Sequence, residues 1–178
     1  MSSKFRFEPL SAQGRSHLKK FDCGSKDVNG YFHQYALKNS KSGQSSCHLL
    51  LDIENEKIAG FYTLSASSIS FEHMPENGLG IKIPKYPIPT ALIGYLGVDI
   101  GYQNQGLAGV LVVDAIKRAH HVRDDIGLGI LAIVVDPINE KSEAFFRHMG
   151  FEPLHGKTSL FIPLQQALAR IQAGSKKK

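Results

Sequence analysis

Cysteine is scarce in this chain: Cys23 and Cys47 are the only two among 178 residues. Their spacing matches no metal site, so both are expected to be reduced thiols of a cytoplasmic protein. Cys23, within Phe21-Asp22-Cys23-Gly24, reads as a small packed residue rather than a nucleophile. Long hydrophobic runs are missing too. None approaches the roughly 18 residues a membrane span needs, so no membrane partner is expected. The start, Met1-Ser2-Ser3-Lys4, has no apolar segment of a secretory signal. His33, His48, His73 and His155 stand at no ligand spacing, so no metal is expected. Internal repeats and low-complexity blocks are absent before the final lysines. What remains is a single domain over residues 1–172, with residues 173–178 expected to be a disordered basic tail.

Charge is present but unevenly placed. The net charge is +5. Residues 1–41 carry 8 Lys/Arg against 3 Asp/Glu, residues 42–151 carry 8 against 12, and residues 152–178 carry 5 against 1. The positive excess therefore sits at the two ends. Such ends suit a polyanionic partner through steering and counterion release. Arg15, Lys19, Lys20, Lys38 and Lys41 are the candidates for phosphate contact, with a solvated face as the alternative.

Periodicity predicts the elements. Phe5–Leu10 reads as a strand and Ser25–Leu37 as a helix, followed by a polar loop over Lys38–Ser46. Cys47–Ile53 and Ile58–Ala66 read as a hairpin, Ile69–Thr90 as irregular, and Ala91–Val98 as a buried strand. Gly109–Arg123 is an amphipathic helix, Gly129–Val135 a central strand, and Asn139–Met149 a helix closed by Gly150. Thr158–Ile162 and Leu164–Ile171 finish the chain as strand and helix. The order implies a mixed sheet with helices on both faces and a parallel pair joined by a right-handed crossover.

The stretch Gln103-Asn104-Gln105-Gly106-Leu107-Ala108-Gly109 lies between the Ala91–Val98 strand and the helix after it. The first N–H groups of a helix have no acceptor within it, and the dipole adds roughly half a positive charge there. Small residues at 106, 108 and 109 let a phosphate reach the backbone. No Gly-Lys-Ser/Thr follows, which excludes a P-loop, and the third glycine of a dinucleotide fingerprint is missing.

These residues resemble the GNAT superfamily of N-acetyltransferases, whose acetyl-CoA signature is Gln/Arg-x-x-Gly-x-Gly/Ala after the fourth strand. Gly94-Tyr95-Leu96-Gly97-Val98-Asp99 is similar to its bulged fourth strand, and Val134-Val135-Asp136 to the end of its fifth. Ala144-Phe145-Phe146-Arg147-His148-Met149-Gly150-Phe151 resembles its closing motif Ala-x-Phe-Tyr-x-x-x-Gly-Phe, shifted by a residue in its first part. Phe21-Asp22-Cys23-Gly24, Gly60-Phe61-Tyr62-Thr63-Leu64-Ser65, Pro87-Ile88-Pro89 and Leu160-Phe161-Ile162-Pro163-Leu164 resemble a subgroup, the acetyltransferase toxins of bacterial type II toxin–antitoxin pairs.

The resemblance implies an α+β GNAT fold: a central mixed, mostly antiparallel sheet with a splayed parallel strand pair and helices on both faces. It implies acetyl-CoA as cosubstrate, held by Leu96, Val98, Gln103, Asn104, Gln105, Gly106, Leu107, Ala108, Gly109, Asn139 and Ser142. It further implies acetylation of the α-amine of aminoacyl-tRNA, which blocks translation, and makes the five basic candidates tRNA contacts. A homodimer is expected, neutralised by a ribbon-helix-helix antitoxin through which alone DNA is met.

The chemistry assigns a backbone N–H near Val98 to the tetrahedral oxyanion. The α-amine of an aminoacyl ester is a weak base, so water suffices to take its proton. Asp99 and Asp136, at strand ends, either assist the amine or cap local structure. The superfamily usually protonates the leaving thiolate with a tyrosine, and Phe146 stands there with no proton to give. Either an inactivating Tyr→Phe change is present or another group donates. A second departure is Tyr95, where the subgroup often carries arginine. Two other functions stay open: a protein or small-amine N-acetyltransferase, and a non-catalytic module that binds acetyl-CoA and a partner.

Overall fold

A computed structural model describes residues 4–11, 18–82 and 85–175. Seven strands form one sheet in the order β1-β2-β3-β4-β5-β7-β6. They are β1 (Phe5–Pro9), β2 (Ser46–Asp52), β3 (Lys57–Ile69), β4 (Ile88–Val98), β5 (Ala132–Val135), β6 (Glu152–Pro153) and β7 (Leu160–Pro163). The helices are α1 (Lys26–Gln34), α2 (Ala36–Ser42), α3 (Leu107–His121), α4 (Glu140–His148) and α5 (Leu164–Ser175). β1 with β2, β2 with β3, β5 with β7 and β6 with β7 pair antiparallel. β4 with β5 is parallel, so the sheet is mixed as expected.

The chain divides into two compact units, Met1–Ser65 with Gly94–Val112, and Ala66–Ile93 with Val113–Lys178. In the first, Phe21, Val28, Phe32, Cys47, Leu49, Ile58 and Phe61 share one apolar core. α1 starts on Ser25, whose hydroxyl accepts the Val28 N–H. Val28 and Phe32, four residues apart, turn the same face inward. The single helix expected to Leu37 is broken at Tyr35 and resumes as α2 as far as Ser42, where Gly43 at φ 76° closes it. Lys38–Ser42 is therefore helix, not loop. Its polar residues continue the solvent side of a helix whose Ala36 and Leu37 face inward.

A glycine lets β4 pass tightly over this core. A Cβ on Gly97 would lie 3.1 Å from Phe61, 3.2 Å from Val28 and 3.3 Å from Cys23. Three residues earlier, the alternation of β4 fails. Gly94 and Tyr95 are both exposed, and the Tyr95 N–H donates to the Thr63 hydroxyl at 3.0 Å.

In the second unit Ile69, Ile88, Ala132, Val134, Leu154 and Phe161 form the core. Thr90–Ile93 pair with Ala132–Val135. The strand expected from Gly129 starts only at Ala132, because Pro89 has no N–H with which to extend the ladder. Its carbonyl still accepts the Leu131 N–H at 2.9 Å. Gly150, at φ 97°, ends the turn after α4, and a Cβ there would fall 2.6 Å from the Arg170 guanidinium. α5 runs to Ser175, so residues 173–175 are helical where a disordered tail was expected. Residues 176–178 lie outside the described residues.

Candidate functional site

β4 ends in a turn that is fixed from several directions. Asp99 caps a short 3₁₀ segment over Ile100–Tyr102: its carboxylate accepts the Gly101 N–H and the Asp22 N–H, both at 3.0 Å. The Ile100 N–H returns to the Asp22 carbonyl at 2.8 Å. Asp99 therefore acts as a cap, the second of its two expected roles. Gln103 follows, and its side-chain amide donates to the carbonyls of Cys23 and Val98, each at 3.0 Å. That side chain braces the turn against the Phe21–Gly24 segment. Asn104 at φ 61° and Gly106 at φ 77° then reverse the chain into α3. The N–H groups of Gly109 and Val110 bond the Gly106 carbonyl, at 3.1 and 3.4 Å. The N–H groups before them belong to the part of a helix that has no internal acceptor. Leu107, Leu111 and Val112 are buried and seat the helix start.

Two networks behind the turn were not foreseen. Asp22 accepts from the Gly24 N–H at 2.8 Å and from the Asn29 amide at 2.7 Å, while the Asn29 carbonyl oxygen accepts from the N–H and thiol of Cys23. The Gly24 N–H and the Asn29 amide hold the Asp22 carboxyl below its usual range. Asp52, with no exposed surface, accepts from the Tyr102 hydroxyl at 2.8 Å, from the Asn55 amide at 2.8 Å and from two N–H groups. Neither cysteine is activated. Burial raises the Cys23 thiol and pushes that of Cys47 up to about 12.

The second unit holds the remaining residues. Asn139 caps α4 in a reciprocal box with Ser142: the Ser142 N–H reaches the Asn139 side chain at 2.8 Å, and the Asn139 N–H reaches the Ser142 hydroxyl at 3.1 Å. Phe146 lies on this helix, 7% exposed, with its ring edge-on to Phe145 at 5.1 Å and to Phe151 at 5.4 Å. Asp136, just after β5, accepts the Ser159 hydroxyl at 2.5 Å.

Residues 17–151 match the Acetyltransferase (GNAT) family. The chain belongs to that family. As a GNAT member it is an acetyl-CoA-dependent N-acetyltransferase. It is 28% identical over 169 residues to probable toxin TacT of Sinorhizobium fredii, covering 92% of this chain and 93% of that protein. A structure of AtaT complexed with acetyl-methionyl-tRNAfMet is similar at 26% identity and a TM-score of 0.84, over 94% of this chain and 99% of that one. AtaTR bound with acetyl-CoA is similar at 26% identity and 0.80, over 94% and 98%. The AtaT–AtaR complex bound to DNA is similar at 25% identity and 0.74, over 93% and 99%.

The basic candidates of this GNAT chain separate in space. Lys19, Lys38 and Lys41 line one cleft of about 1040 Å³ with His33, Gln34 and Leu37. Lys20 instead lines a smaller cavity of about 420 Å³ beside Asn55, Lys57 and Asp99. Arg15 lies outside the described residues. Among the described residues no helix is long and apolar enough to cross a membrane.

Proposed function

We propose that this GNAT enzyme is the toxin of a type II toxin–antitoxin pair, acting in the cytoplasm on the α-amine of aminoacyl-tRNA and thereby blocking translation. The observation that carries the reading is the likeness, along nearly the whole chain, to AtaT holding acetyl-methionyl-tRNAfMet. The likeness to probable toxin TacT supports it. The structure of AtaTR with acetyl-CoA supports the cosubstrate. The AtaT–AtaR complex bound to DNA supports an antitoxin partner and DNA engaged through the toxin–antitoxin complex; a ribbon-helix-helix antitoxin and a homodimeric toxin complete the reading.

In this reading the N–H groups of Gln105 to Ala108 take the diphosphate, helped by the helix dipole, while the Gly109 N–H stays on the Gly106 carbonyl. Gln103 acts through the backbone, because its side chain is spent on Cys23 and Val98. Asn104 shapes the turn, and the main chain of Leu96 and Val98 pairs with the pantetheine arm. The neutral amine attacks the thioester carbon, and the Val98 N–H receives the charge that develops on oxygen. Breakdown expels the thiolate, which must gain a proton. Phe146 occupies the place of that acid without a hydroxyl.

A second reading, a module that binds acetyl-CoA and its partners without turnover, is favoured by Phe146 alone. One assay separates the two. Transfer of labelled acetyl to bulk aminoacyl-tRNA is measured for this chain and for Phe146→Tyr. Restoring the acid raises the rate by the roughly 10²–10⁴-fold of a positioned proton donor. Equal rates in both forms remove Phe146 from the acid's place, and no transfer in either removes the aminoacyl-tRNA reading.

A further inference from the structure

Phe21, Phe32, Phe61 and Tyr62 of the first unit are buried, whereas three of its tyrosines, Tyr31, Tyr35 and Tyr95, stand in a row that is not. Tyr31 on α1 and Tyr95 on β4 stack face to face, with ring centroids 3.6 Å apart and planes 7° from parallel. Tyr35 continues the row at 6.5 Å and 28°. Tyr95 is 36% exposed and Tyr35 52%. A direct sandwich is the least favoured geometry for two rings on their own, since like quadrupole faces oppose. Here the scaffold imposes it. The Tyr31 hydroxyl is held by the Asn39 amide at 3.3 Å and lies 3.3 Å from the Ser45 hydroxyl. The Tyr95 N–H is tied to the Thr63 hydroxyl at 3.0 Å. A rigid, flat, partly exposed aromatic pair is what an unpaired nucleobase stacks on.

We infer that Tyr95, backed by Tyr31, is a stacking platform for the unpaired 3′-terminal nucleobase of the acceptor RNA, an inference that rests on the aminoacyl-tRNA reading. The acceptor amine is joined through an ester to the 3′-terminal ribose, so the terminal base is the one nearest the reacting atoms. Tyr95 immediately precedes Leu96, whose main chain is assigned to the pantetheine arm. Stacking needs no particular base edge, so the platform positions the RNA end and carries little sequence preference.

The test uses the full chain and two deacylated tRNA probes, identical except that one has an abasic 3′-terminal ribose. Tyr95→Ala should weaken binding of the intact probe by roughly 5- to 150-fold, the range for loss of one base stack. It should leave the abasic probe unchanged, and Tyr95→Phe should retain tight binding. The chain has no tryptophan, so its tyrosine emission can be followed directly and should be quenched by the intact probe alone. Equal loss for both probes, or no loss for either, overturns the platform while the aminoacyl-tRNA reading stands. Failure of the parent chain to bind either probe overturns the platform, and the aminoacyl-tRNA reading falls with it only if acetyl transfer to aminoacyl-tRNA is absent as well. A Tyr95→Ala protein that sediments as a smaller oligomer than the parent assigns the tyrosine pair to contact between copies and also overturns the platform.

Discussion

Asp52 keeps its charge with no exposed surface because four hydrogen-bond donors converge on its carboxylate and the Lys4 ammonium lies 3.7 Å away. The Asn55 amide first, then the Tyr102 hydroxyl, lowers it to about 2. Burial, then Asp52 itself, raises Tyr102 to about 12. A lowered folded-state pKa stabilises above the ordinary carboxylate range, and that stability is lost as pH falls through about 2. A raised phenol pKa acts in the opposite window, stabilising below about 10 and losing its contribution as pH climbs toward 12. Asp52→Asn should therefore be less stable than the parent at neutral pH, with the gap closing between about pH 4 and 2 in thermal melts. A gap that stays constant through that window would contradict the assignment. The sequence held no hint of this pair. Asp52 and Tyr102 lie 50 positions apart, and Asp22 and Asp99 lie 77 apart. A polar residue gains such partners only when the chain closes on itself.

Elements were more legible, since apolar periodicity survives without tertiary context. The turn before α3, the glycine end of α4 and the parallel crossover were all readable from local signals. Boundaries failed where a neighbour decides them. β5 is shortened because Pro89 cannot donate, and α2 runs on through residues whose polarity imitated a loop. The turn itself depends on the Gln103 brace. Gln103→Ala removes two hydrogen bonds and should cost about 1–3 kcal/mol in urea denaturation. It should also weaken acetyl-CoA binding, because the Cys23 and Val98 carbonyls are no longer held to the turn. Unchanged stability together with unchanged acetyl-CoA affinity would show that the brace is dispensable.

For the molecule as a whole, charge was legible as an amount per segment but not as a surface. Lys19, Lys38 and Lys41 come to one cleft because α2 is helical, while Lys20, adjacent to Lys19 in sequence, serves another cavity. If the cleft meets phosphates, the double variant Lys38→Glu with Lys41→Glu should weaken tRNA binding. It should also flatten the plot of log affinity against log salt by roughly 1.4 to 1.8 units of slope for two lost contacts. An unaltered slope would remove these two lysines from the interface.

Cosubstrate binding rests on the main-chain N–H groups of Gln105 to Ala108 holding a diphosphate. Calorimetric titration of the folded protein with acetyl-CoA, and separately with S-acetylpantetheine, which lacks the diphosphate and nucleotide, tests this directly. Saturable binding of acetyl-CoA with far weaker binding of S-acetylpantetheine is the predicted result. No heat from acetyl-CoA, or equal affinity for the two thioesters, would contradict it.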